Sequence, residues 1–112
     1  MKITNATVLN PIQNPHSVEA KRLYDTVNAE VIHMNLKPGQ SLRRHTTPTD
    51  VFFYILEGTG TVEIGDEKEE VGKDMLIESP KDIPHLLSNT GKSPFRFLVV
   101  KVPKQTSPSK FP

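Results

Sequence analysis

The sequence predicts an all-β domain, and three observations carry that prediction. Ten prolines and six glycines cut the 112 residues into short pieces at fairly regular spacing, the punctuation of a sandwich or barrel. No segment keeps the 3.6-residue apolar period that a packed helix needs. Several pieces are instead rich in β-branched and aromatic residues, or alternate apolar with polar ones. A chain of this length makes one domain with one core and buries about two-thirds of the surface its unfolded form exposes.

The elements follow in order. Residues 1–28 form an N-terminal arm with loose strands, interrupted by Pro11 and Pro15. Within it, Val18 to Tyr24 fits either a strand or a single helical turn. Ala29 to Leu36 is a strand, with Ile32, Met34 and Leu36 alternating with His33 and Asn35, and Pro38-Gly39 turns it. Gln40 to Thr47 is polar and extended, and Val51 to Leu56 is the strongest strand of the chain. Glu57-Gly58 leads into a strand over Thr59 to Ile64, and Gly65-Asp66 is a hairpin turn into Lys68 to Val71. Gly72-Lys73-Asp74 turns the chain into Met75 to Glu78, and Pro80 to Pro84 is a loop. His85 to Asn89 and Phe95 to Val102 are the last strands. Residues 29–102 therefore hold the barrel, and 103–112 form a polar, proline-rich tail expected to be mobile.

Two strands, Val51 to Leu56 and Phe95 to Val102, are apolar on both faces. One face lines the barrel and the other needs a cover. A homodimer supplies one by burying the same patch on both copies. The arm or the tail would supply it within one chain.

Composition narrows the function. Lys and Arg number 14 against 13 Asp and Glu, a formal charge of +1. That balance, with 6% aromatic residues and no basic stripe, argues against a nucleic-acid partner. No run approaches the ~20 apolar residues of a membrane span. Nor does a signal-peptide pattern open the chain, so the expected location is the cytoplasm. The absence of cysteine removes disulfides, thiolate metal sites and thiol nucleophiles.

His45 and His85 stand in the informative surroundings. Gly39 and His45 have five residues between them, and Gly58 follows. Farther on come Gly72, Pro80, His85 and Asn89. These two groups, at their separation and within this strand pattern, resemble the two motifs of the cupin superfamily over roughly residues 30–102. The resemblance implies a double-stranded β-helix, the jelly-roll barrel of a small single-domain cupin. It also implies a site of three histidines and a carboxylate, a cage that suits iron, manganese, nickel or zinc.

This sequence departs from that ligand set. The second histidine falls at Thr47 and the carboxylate at Val51, leaving His45 and His85 as metal ligands. Asp82 replaces a glycine of the second motif, so that turn is free to take another shape. Asp50, brought in by a bulge over Thr46 to Thr49, or His33 from the preceding strand are candidates for a third ligand. His16 sits beside Pro15 in a loop and carries no signal.

The resulting expectation is a small-molecule-binding cupin with a degenerate metal site. Its pocket is lined by His45, Thr47, Val51, Phe53, Ile55, His85 and Asn89, with Arg43 near the mouth favouring an anionic ligand. One alternative is a metal-dependent isomerase or oxygenase using His45, His85 and a further ligand. Another is a metal-free isomerase in which His45 or His85 moves a proton.

Overall fold

A computed structural model describes residues 1–111. Pro112, the last residue of the expected tail, lies outside the described residues. Eight strands form, all paired antiparallel, and no helix occurs among the described residues. They are β1 (Glu19–Asp25), β2 (Glu30–Leu36), β3 (Asp50–Glu57), β4 (Thr59–Ile64), β5 (Glu67–Gly72), β6 (Leu76–Ser79), β7 (His85–Ser88) and β8 (Phe95–Val102). One sheet has the order β1-β2-β8-β3-β6 and the other β5-β4-β7. Val18 to Tyr24, left open between strand and helical turn, is thus essentially β1.

The polar segment after β2 extends the smaller sheet beyond β7. Leu42 donates its amide to the Leu87 carbonyl at 2.9 Å, and Asn89 donates to the Gln40 carbonyl at 2.9 Å. His45 and His85 exchange both backbone bonds, at 3.2 and 2.9 Å. Three residue steps separate Leu42 from His45, against two from Leu87 to His85. The extra residue is a bulge, and it turns both Leu42 and His45 inward.

Strand alternation builds the core between the sheets. Val51, Phe53 and Ile55 of β3 lie beside Phe95, Phe97 and Val99 of β8 and Ile32, Met34 and Leu36 of β2 on the inner face of the larger sheet, in one buried cluster with Leu42, Val62 and Leu87 of the smaller. Phe97 lies edge-on to Phe53 at 6.2 Å between ring centroids and tilted to Phe95 at 5.2 Å. The opposite face of β3, with Phe52, Tyr54 and Leu56, is half-buried.

Two turns show why particular residues stand where they do. Gly58 has φ +81°, and a Cβ there would collide with the Pro94 carbonyl oxygen. Gly58→Ala is therefore expected to cost about 2 kcal/mol or more in urea unfolding, and a loss under about 0.5 kcal/mol would contradict this packing. Asp82 has φ +63°, the left-handed conformation that glycine favours and aspartate tolerates. The turn before β7 therefore keeps a glycine-like backbone despite the substitution, and the Asp82 amide is tied to the Thr47 carbonyl at 2.9 Å.

The C-terminal segment is seated on the barrel. Thr46 and Lys110 exchange backbone bonds at 2.8 and 3.0 Å, and the Thr49 hydroxyl donates to the Pro103 carbonyl at 2.8 Å. Composition points to mobility, but these hydrogen bonds have no signature in composition.

Candidate functional site

The site grows from the His45–His85 backbone pair. Opposed residues in an antiparallel ladder project to the same face, so both imidazoles enter the lumen. Their rings meet edge-on at 4.6 Å, with the two Nε2 atoms 3.2 Å apart. His45 Nδ1 lies 2.7 Å from the Arg43 carbonyl oxygen. A carbonyl only accepts, so Nδ1 carries the hydrogen and His45 Nε2 is an acceptor. The proton between the two rings then belongs to His85 Nε2. Its Nδ1 accepts from the Ser79 hydroxyl at 2.6 Å, and Thr47 Oγ1 stands 3.3 Å from Nε2. The result is a directed chain from Ser79 through His85 and His45 to the Arg43 carbonyl.

Burial keeps these rings neutral. It pushes His85 down to about 3, with the nearby His45, Lys101 and His16 charges acting in the same direction. His16 is pushed down to about 4 by burial and then by His45. His45 is also lowered by burial, against the opposing effect of its hydrogen bond to Arg43.

The mouth is built from the two ends of the chain. His16 Nδ1 accepts the Arg43 amide at 2.8 Å, and its ring lies 4.8 Å from that of His45. Phe111 stacks on His45 at 5.3 Å, and the Arg43 guanidinium sits 4.6 Å above the Phe111 ring centre.

Lys101 of β8 forms the other end. Alternation places it on the inward face with Phe95, Phe97 and Val99. Its ladder partners are Glu30 on β2 and Val51 on β3. Its ammonium donates to Gln105 Oε1 at 2.8 Å and lies 3.7 Å from Glu30 Oε1. The Arg22 Nε holds the other Glu30 oxygen at 2.9 Å. Burial lowers the Lys101 pKa, and Glu30 opposes that shift.

Together these groups enclose a cavity of about 340 Å³, within the range of small-molecule sites. Of the expected pocket residues, His45, Thr47, Val51, Phe53 and His85 line it. Three others stand elsewhere. Ile55 is fully buried in the core. Asn89 is a brace, with its amide nitrogen on the Leu36 and Ser93 carbonyls and its oxygen on the Gly91 amide. Arg43 caps Phe111 at the rim.

The two candidate third ligands are also outside the lumen. Asp50 is exposed and accepts the Lys81 amide at 2.9 Å; strand alternation turns it away and no bulge brings it back. His33 is on the outer face of β2, where its Nε2 accepts from Arg96 at 3.1 Å. Sequence reasoning missed Lys101, Ser79, His16 and Phe111. A larger, more open groove of about 900 Å³ between β5 and β6 holds none of the histidines.

The lumen is a poor fit to a resident metal. The 3.2 Å separation of the Nε2 atoms suits two ligands of one ion. Around them stand the Thr47 hydroxyl, Val51, the Lys101 ammonium and His16, whose Nδ1 is taken by the Arg43 amide. Among the described residues, no three His, Cys, Asp or Glu side chains are placed to hold an ion. Retained metal needs at least three protein ligands in most sites, so the side chains present do not supply one.

The sheet order and the inward histidine pair define a double-stranded β-helix whose mostly apolar lumen carries a few polar groups. Comparison agrees: the family described as the cupin domain matches residues 32–101, and the chain belongs to it. An uncharacterised protein of Methanocaldococcus jannaschii is 37% identical over 62 residues, 55% of this chain and 49% of that relative. The matched stretch thus spans about half the length of that relative. The TT1209 structure from Thermus thermophilus superposes with a TM-score of 0.79 at 28% identity, covering 92% of this chain and 98% of that one. The polyketide cyclase RemF of Streptomyces resistomycificus superposes with a TM-score of 0.85 at 23% identity, covering 99% and 84%. Structures described as double-stranded β-helix proteins match as well. Among the described residues no helix is long and apolar enough to cross a membrane.

Proposed function

We propose that this cupin binds a small organic molecule in its lumen and does so without a resident metal. One observation carries the reading. Where the family motif places a carboxylate, this chain has Val51, and the ladder partner of Val51 is Lys101. An ammonium near two imidazoles repels a dication and attracts an anion. The apolar walls, including Phe53, Ile32, Met34 and Val99, with a few converging polar groups, are those of a ligand pocket.

Elemental analysis of untagged protein tests this, alongside His45→Ala and His85→Ala. The reading expects less than about a tenth of an equivalent of transition metal, unchanged by incubation with iron, manganese, zinc or nickel. About one equivalent, lost in both variants, would overturn it. That outcome would support a second reading, a metal-dependent isomerase or oxygenase, which the Nε2 separation of 3.2 Å favours.

A further inference from the structure

We propose that the end of the lumen beside the C-terminal tail is a carboxylate subsite centred on the Lys101 ammonium, occupied in the ligand-free protein by the Gln105 side chain of that tail. The inference rests on the metal-free reading of the lumen and names the ligand class it admits.

The Lys101 side chain is 17% exposed and that of Glu30 8%. Glu30 is shared between Lys101 at 3.7 Å and Arg22 at 2.9 Å, so two cations face one carboxylate. The histidines that line the same cavity are neutral and offset nothing. One positive charge is left over in a half-closed, mostly apolar cavity, where an ion pair is stronger than in water.

An ammonium has three donors. Among the described residues its one short acceptor is Gln105 Oε1, at 2.8 Å. That amide oxygen has the geometry of one carboxylate oxygen but no charge. A ligand carboxylate can take its place and gain a charge-assisted bond.

Gln105 is itself tied into the tail. Its Nε2 donates to the Ser107 carbonyl at 2.7 Å and to Ser109 Oγ at 3.0 Å. The same tail carries Lys110 onto Thr46 and Phe111 onto His45. Gln105, Pro108, Ser109 and Phe111 all line the cavity. Displacing Gln105 from Lys101 therefore loosens the strap across the mouth, and ligand entry is coupled to tail release.

Benzoate and its neutral isostere benzamide are the probes, titrated into ¹⁵N-labelled full-length protein and followed by amide shifts. Benzoate should bind at least about tenfold more tightly than benzamide. Lys101→Met should abolish that preference, and Lys101→Arg, which keeps the charge, should retain most of it. Gln105→Ala, which removes the internal competitor, should tighten benzoate about threefold. The Lys110 and Phe111 amides should shift on binding in the wild type. Equal affinities for the two probes, a preference that survives in Lys101→Met, or no shift from either probe at about 20 mM would overturn the subsite. Equal affinities in metal-free protein sink the subsite alone. A stoichiometric metal sinks the lumen reading whatever benzoate does.

Discussion

Acidification from pH 7 to pH 4 is expected to remove about 3 kcal/mol of folding free energy through His85 alone. The unfolded imidazole takes up a proton below its ordinary value of 6.5, whereas the folded one stays neutral down to about 3. Between those values the unfolded state binds more protons, so stability rises with pH. The contribution is fully present above 6.5 and is lost as the pH falls toward about 3. His16, pushed down to about 4, acts in the same direction over much of the same window. Carboxylates also titrate there, so the comparison that isolates the effect is with His85→Gln. Urea unfolding from pH 7 to pH 4 should give a slope shallower by about one proton in that variant. Identical slopes would mean that His85 is not held neutral by its site.

The second large effect lies in the core. Phe97 is fully buried between Phe53 and Phe95, and Phe97→Ala should cost about 3–5 kcal/mol. That is a third or more of the stability of a domain this small, so Phe97→Leu is the companion variant, with an expected loss of about 1–2 kcal/mol. Urea midpoints at constant slope measure both. A loss under about 1 kcal/mol for the alanine would contradict the central packing of the two sheets.

The strands were legible because their signal is local. Thr59 to Ile64 and Phe95 to Val102 are bounded by turn residues, and the observed strands have those same ends. The histidine pair was legible through the resemblance of its two motifs to those of the cupin family, and the structure sets those motifs on neighbouring segments of one sheet. Lys101 carries a sequence signal of its own. It sits at the end of an apolar run, and period-2 counting from Phe95 puts it on the core face. His16 and Phe111 had no local signal, because the ends of the chain reach the site through tertiary contacts. Asn89 shows the reverse case. Its motif position marked it for the pocket, but its side chain bonds three backbone groups of the adjoining turn and β2. A motif records that a residue is needed and leaves open whether the need is chemical or structural.

The central claim is that His45 and His85 share one proton, as a hydrogen-bonded pair, in place of turning two free lone pairs onto a metal. Long-range ¹H–¹⁵N correlation of the imidazoles at neutral pH reads this directly. The account predicts His45 protonated on Nδ1 and His85 on Nε2, both neutral, with shifts unchanged by added zinc. Both rings protonated on Nδ1, with the two Nε2 signals moving together when zinc is added, would contradict it.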